Sequence, residues 1–467
     1  MRFPPLLICL LFTLGLSSQT DVLYGTWAGK IEVENNEIFA VIYVEAGDTI
    51  PYFVTFAFPE QGIEEMKPDK YYLTKDSISI NLKKIRAKYK ATYNDSTGTI
   101  NGKWIQGGKA YKLNLEKTEK DYHIKRPQTP QKPYPYTEEE IIFTNLKDKI
   151  DLSGTLTIPQ GKGPFPAVLI INGSGQQERD CEILGHKWAL VLADYLTRQG
   201  IATFRYDDRG TGKSGGNPFT STTLDYSEDA LSAAMVLRNH NKTDKSKIGI
   251  IGHSEGGIIA QIISSKLKGT SFVVLLAAPG IDITELMVIQ NRKMIEGMEI
   301  LNESQLTLFD NMNRSVFNTI LNTKDNNEAS AKVLSIYMDY AKTLDSSQIK
   351  SLNIYEKNIR SQLTIMLSPW YRFFLSVKPS RYLTKIKCPV LVLNGEKDVQ
   401  VTADENLAAI NDALKKAKNS KVTVNKLTGL NHLFQTSESG MPDEYAKIEE
   451  TISPAVLEII AKWINQQ

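Results

Sequence analysis

At 467 residues the chain is longer than one ordinary domain, which implies two units or one large domain carrying an insertion. Its 41% hydrophobic and 23% charged residues fit a globular protein with a substantial core and exclude a disordered or fibrous one. With 55 basic residues against 53 acidic ones the net charge is +2, so the overall balance favours neither nucleic acid nor an anionic membrane surface as partner.

Residues 1–18 read as a secretory signal peptide. Arg2 supplies the positive start, Leu6 to Leu16 an apolar run, and Gly15-Leu16-Ser17 a small-x-small cleavage site. The eleven-residue run is too short to span a bilayer, and Ile8 is too bulky for a lipoprotein signal at Cys9. The expectation is cleavage near residues 17–18 and export, to the periplasm or beyond. Cys181 and Cys388 then remain; neither has a metal-type spacing, and both are expected as free, mostly buried thiols.

Residues 21–122 have an all-β texture. Runs such as 37–44, 52–58, 77–82, 88–93 and 110–115 are rich in β-branched and aromatic residues and are broken by Gly, Asn and Asp. Gly25-Thr26-Trp27 opens the series and Gly102-Lys103-Trp104 recurs near its end. A small antiparallel barrel or sandwich is expected, its aromatic residues filling its own core, with the lining of a ligand cavity as the alternative. It contains no titratable cluster that suggests chemistry. Residues 123–137 follow, with Pro127, Pro130, Pro133 and Pro135, and predict a semi-rigid linker.

From residue 138 to 467 the texture alternates between strand and helix. Residues 140–143 and 150–158 predict a leading hairpin, and 167–171, 201–204, 248–251 and 272–277 predict buried strands. Helices are predicted over 186–199, 226–239 and after Ser254. This is the pattern of a parallel α/β sheet with right-handed crossovers. Residues 280–386 interrupt it with amphipathic helical stretches carrying Met287, Met294, Met298, Met338 and Met366, ending in Ser368-Pro369-Trp370-Tyr371-Arg372-Phe373-Phe374. Such an insertion at the carboxyl edge of a sheet is expected to cap the ligand site, its Met and aromatic residues shaping a pocket or packing on one another. Strands resume at 389–393 and 422–427, and a last helix covers 452–464.

The chemistry is written at Gly252-His253-Ser254-Glu255-Gly256. An apolar strand stops there in a Gly-x-Ser-x-Gly turn and a helical run follows, the context of a nucleophile elbow. A serine hydroxyl needs a base, ordinarily a histidine oriented by a carboxylate, and on such sheets the partners follow in the order Ser, acid, His. Of the five histidines, His123, His186 and His240 precede the turn, and His253 lies inside it with its side chain expected to point away. His432 alone follows a late strand. The acid is expected after the strand 390–393, where Glu396 and Asp398 both stand; the position of Asp398, past a Gly-containing turn and before Val399, favours it. The oxyanion needs two preorganised donors. The backbone N–H of Glu255 is one; Asn172-Gly173-Ser174-Gly175 supplies the other, Ser174 first and Gly173 second.

Two neighbouring segments have simpler expected roles. Arg179 in the run 176–180 could meet a charged substrate group, with a structural ion pair the simpler role. Gly212-Lys213-Ser214 ends like a phosphate-binding loop, but Asp207 stands where that motif needs glycine; the segment 205–214 is expected to be a turn tied by its Asp and Arg residues.

These segments together make residues 138–467 resemble the α/β-hydrolase superfamily. The likeness is greatest to exported bacterial carboxylesterases of the EstD type, near the serine aminopeptidase and dienelactone hydrolase branches. The matching residues are 172–175 with 178–180, Gly185-His186-Lys187, Arg205 to Gly210, Gly252 to Gly257, Pro389 to Asp398, and Asn431-His432. Where many relatives begin the oxyanion turn with His-Gly, this chain has Asn172-Gly173; the donor is backbone, so activity should survive. The resemblance implies a serine hydrolase acting on small-molecule carboxylic esters through Ser254, His432 and Asp398. It implies no cofactor or metal; the charge balance leads to no nucleic acid partner being expected, and the short apolar run to no membrane span. A peptidase using the same triad is the alternative; a non-catalytic protein whose front barrel binds lipid or glycan is a more remote one.

Overall fold

The computed structural model describes residues 21–33, 36–46, 52–123 and 125–467. The leader expected over residues 1–18 lies outside them. The chain divides into two compact units, Met1–Ile124 and Lys125–Gln467.

The first unit is a single antiparallel sheet of nine strands: β1 (Gly25–Val33), β2 (Asn36–Ala46), β3 (Tyr52–Phe58), β4 (Ile63–Met66), β5 (Lys70–Thr74), β6 (Ser77–Leu82), β7 (Ala87–Asn94), β8 (Thr99–Gln106) and β9 (Lys109–Thr118). Their order, β4-β3-β2-β1-β9-β8-β7-β6-β5, brings the first and last strands together at the centre. Alternate residues point inward, so Trp27, Phe56, Tyr89 and Trp104 fill the interior. The sheet curls like a barrel, with side chains assisting at its open seam: the Tyr52 hydroxyl accepts from the Leu73 N–H at 3.1 Å, and the Tyr71 hydroxyl donates to the Tyr52 carbonyl at 3.0 Å.

The second unit carries an eight-stranded sheet. Its strands are β10 (Thr137–Asn145), β11 (Ile150–Ile158), β12 (Phe165–Ile171), β15 (Ala202–Tyr206), β16 (Thr243–His253), β17 (Phe272–Leu276), β18 (Val390–Gly395) and β19 (Val422–Leu427); a two-residue hairpin, β13 (Glu182–Ile183) and β14 (His186–Lys187), stands outside it. The order is β10-β11-β15-β12-β16-β17-β18-β19. The leading hairpin is antiparallel and the strands from β15 to β19 run parallel. Helices α1 (Trp188–Arg198) and α12 (Pro454–Ile464) cover one face, while α2 (Thr223–Asn239), α3 (Glu255–Lys266) and α11 (Ala403–Lys416) cover the other. Both faces are therefore buried, which is why the central strands are continuously apolar rather than alternating. This is the α/β-hydrolase fold.

Between β17 and β18 the chain forms seven helices, α4 (Ile283–Glu296), α5 (Glu303–Asn322), α6 (Asn326–Ala341), α7 (Ser346–Ser351), α8 (Glu356–Met366), α9 (Pro369–Ser376) and α10 (Ser380–Leu383). They share a core of their own, anchored on Ile258 and Ile262 of α3. Met366 packs inside that core, and the half-buried Met287 and Met338 pack against it. Among the described residues no helix is long and apolar enough to cross a membrane.

Residues 125–136, expected as a linker, are fastened to the second unit. The Arg126 guanidinium donates to the carbonyl oxygens of Ile448 at 2.7 Å, Leu184 at 2.8 Å and Ala446 at 3.0 Å. The Gln128 amide donates to Ile452 O and accepts from Thr451 N, both at 2.6 Å. Prolines remove this segment's own ladder donors, and the polar side chains between them supply the attachment.

Candidate active site

Ser254 sits where β16, a central strand, meets α3. Its backbone takes φ 54° and ψ −123°, a left-handed conformation costing about 1–3 kcal/mol for a residue with a side chain. The flanking glycines permit it. A Cβ on Gly252 would lie 2.2 Å from the Gly256 carbonyl oxygen, and one on Gly256 would lie 2.3 Å from the Ile171 oxygen. The Ser254 N–H bonds Leu276 O at 3.0 Å, which stitches the turn to β17. The open N–H groups and positive dipole end of α3 begin beside the hydroxyl.

Asp398 follows β18 and is buried. Its Oδ1 accepts the N–H groups of Gln400 and Val401, each at 2.8 Å, and its Oδ2 stands 2.8 Å from His432 Nδ1. That bond sets the histidine tautomer: Nδ1 carries the proton and Nε2 is left as the basic nitrogen. Glu396, the other carboxylate considered, instead accepts the Gly429 N–H at 3.1 Å. The loop bearing His432 is closed by Asn431, whose Oδ1 accepts from Leu433 N at 3.0 Å and Gln435 N at 2.9 Å.

His253 does not simply turn away, as the sequence suggested. Its Nε2 lies 2.9 Å from the His432 carbonyl, and the two rings are 4.8 Å apart. Burial, with His432 nearby, lowers its pKa to about 3, so the ring is neutral and Nε2–H donates.

The turn after β12 lies against Ser254: a Cβ on Gly173 would be 3.2 Å from Ser254 Cβ. The Glu255 carboxyl accepts Thr223 Oγ1 at 2.6 Å and Trp370 Nε1 at 2.9 Å, and the Ser174 side chain adds to the pull on its proton. Burial raises the Glu255 carboxyl above its ordinary pKa against the pull of these donors. The side chain of Glu255 was not singled out in the sequence, nor were Thr223 and Trp370 as its partners. An acidic residue opening a helix whose next five positions are apolar was the available signal.

The loop behind this turn is held by carboxylates. Asp208 exchanges two bonds with the Gln177 backbone, each 3.0 Å. Arg179 forms a buried pair with Asp207 at 2.8 Å and donates to Thr155 and Ser153, which settles it as a structural ion pair. Arg209 pairs with Asp229 at 2.7 Å, and Lys213 with Glu140 at 2.7 Å, so segment 205–214 is the expected tied turn. Burial and nearby Glu255, Asp229 and Asp207 carry the Asp208 carboxyl well above its ordinary pKa.

A cavity of about 870 Å³ opens between this floor and the inserted helices, bounded by Gly173 and Glu255 below and by Leu363, Leu367 and Trp370 above. None of the methionines noted in the insertion lines it. Among the described residues no group of His, Cys, Asp and Glu could hold a metal ion. Cys181 and Cys388 are free thiols, the first buried and the second partly so.

A family profile described as serine aminopeptidase, S33 matches residues 186–436. The chain is 27% identical over 340 residues to esterase EstD of Thermotoga maritima, covering 71% of this chain and 68% of that protein. Similar solved structures include a Pyrococcus furiosus esterase, Pf2001, at TM-score 0.43 and 16% identity over 73% of this chain and 96% of that one. A hypothetical protein of Pseudomonas aeruginosa, PA2218, matches at TM-score 0.44 and 17% identity over 75% and 98%.

Proposed function

We propose that this chain, which belongs to the serine aminopeptidase, S33 family, hydrolyses carboxylic esters through Ser254, His432 and Asp398. His432 Nε2 takes the Ser254 proton as Oγ attacks the ester carbonyl. The tetrahedral oxyanion rests on the N–H groups of Ser174 and Glu255. Asp398 keeps the imidazole in its tautomer and stabilises the imidazolium, which then protonates the leaving alkoxide. Water, deprotonated by His432, attacks the acyl-enzyme and releases the acid. The observation that carries this reading is the buried 2.8 Å Asp398–His432 bond beside the strained turn that bears Ser254.

The ester preference is supported by the likeness to an esterase across most of the chain. The family description favours a second reading, removal of amino-terminal residues from short peptides by the same machinery. Parallel assays of p-nitrophenyl acyl esters and aminoacyl p-nitroanilides separate the two. Turnover of esters with negligible turnover of anilides supports the first reading; the reverse supports the second. A fluorophosphonate probe should label the folded protein and fail to label Ser254→Ala. Absence of labelling in the folded wild type overturns both and leaves a non-catalytic binding protein.

A further inference from the structure

The first unit has its own charged surface. Residues 83–112 carry eight basic side chains and one acidic, Asp95, which is paired with Lys75. On the outward face, the strand registers put Tyr72, Ser79, Lys90, Lys103 and Lys112 directly opposite one another, one from each of β5, β6, β7, β8 and β9. Like charges placed directly opposite across strands destabilise a sheet by a few tenths of a kcal/mol to about 1 kcal/mol per pair. Here two such contacts occur in succession. Lys112 lies 3.5 Å from Glu32, but among the described residues Lys90 and Lys103 form no ion pair. The fold gains nothing from this row.

Its geometry suits an extended polyanion. Five strands at about 4.8 Å spacing give a continuous row of roughly 19 Å measured along the curved sheet. The row crosses an open depression of about 650 Å³, where Ser77, Thr92 and Asn101 add hydroxyl and amide groups and Asp76 is the bordering carboxylate. Tyr72, 56% exposed on the edge strand, ends the row with a flat ring.

We propose that this face binds an acidic polysaccharide chain. The ammonium groups of Lys90 and Lys103 pair with successive carboxylates, the interspersed polar side chains bond sugar hydroxyls, and Tyr72 stacks on a sugar ring. A lipid surface fits less well, since Tyr72 is the row's one large apolar group. Single-stranded nucleic acid fits less well too, because successive bases need successive aromatic platforms.

The test uses the full chain in native affinity electrophoresis at low salt, with polygalacturonate, dextran, phosphatidylglycerol vesicles and a single-stranded oligonucleotide as separate probes. Polygalacturonate should retard the protein and dextran should not, and the effect should weaken as salt screens the charges. Lys90→Glu/Lys103→Glu should weaken retardation about tenfold or more, and Tyr72→Ala several-fold. Far-ultraviolet circular dichroism and the thermal melt of the full chain should be unchanged in both variants, which shows that the first unit's sheet still folds. The proposal is overturned if polygalacturonate does not retard the protein, if the double variant is retarded equally, or if dextran, vesicles or the oligonucleotide bind as strongly.

Discussion

His253 donates its Nε2–H to the main-chain carbonyl of His432 across 2.9 Å, so the residue before Ser254 holds the loop that bears His432. Its ring is also tilted against Trp188 at 4.6 Å between centroids, and the Trp188 indole donates to Leu433 O at 3.1 Å. One side of the His432 loop is thus fixed by β16 and α1 rather than by its own sequence. Replacing His253 by Phe keeps the bulk and removes the donor. The His432 carbonyl then lacks its bond from His253 in a buried site, costing about 1–3 kcal/mol in stability. Ester kcat should fall more than KM changes; urea midpoints and steady-state kinetics on the purified variant check both.

The two carboxylates after β18 should separate cleanly. Asp398→Asn keeps the shape of the site but disturbs the His432 tautomer, and kcat should fall roughly a thousandfold to ten-thousandfold, as in other triads. Glu396→Gln touches only the Gly429 N–H and should retain kcat within about twofold, because an exposed single hydrogen bond contributes little. Comparable losses in both variants would refute the assignment of Asp398.

Trp370 on α9 reaches the buried Glu255 carboxyl from the inserted helices. Trp370→Phe removes this donor while preserving the ring packing on Phe374, so the inserted helices should loosen over the cavity. The expected result is a raised KM for esters and a Tm lowered by several degrees, consistent with about 1–3 kcal/mol for a buried acceptor losing one partner. Initial-rate kinetics with thermal melts measure it.

His186, buried between Thr451 and the Tyr445 carbonyl, has its pKa lowered from 6.5 to about 4 by burial. As pH falls below about 6.5 the unfolded chain binds a proton there that the folded chain refuses. Stability therefore drops, by up to ~1.4 kcal/mol per pH unit, until about pH 4. The raised carboxyls of Glu255 and Asp208 act in the opposite sense, but equally in wild type and in His186→Gln. The variant should therefore lose less stability between pH 7 and pH 5 than the wild type, read from urea midpoints at the two pH values. An equal loss in both would refute a neutral His186.

Sequence alone determined whatever depends on local geometry or chain order. The Gly-x-Ser-x-Gly turn fixes its own backbone, because glycine at 252 and 256 is a steric requirement visible in five letters. The order of strands and the scarcity of histidines left His432 as the base to consider, and apolar runs marked the buried strands. Short edge strands such as β4 and β5, with their charged residues, were not legible, since pairing in the sheet makes them strands and not propensity. The tertiary structure decided what needs two distant segments to meet. Asp398 rather than Glu396 bonds His432, because the bend after Gly395 aims one carboxylate at that imidazole and the other at Gly429. Glu255 gathers Thr223 and Trp370 from two distant helices, and His253 binds a loop 179 residues away. Hydrogen bonds of that span leave no periodicity in a sequence; they exist only once packing has excluded water and brought donor and acceptor within reach.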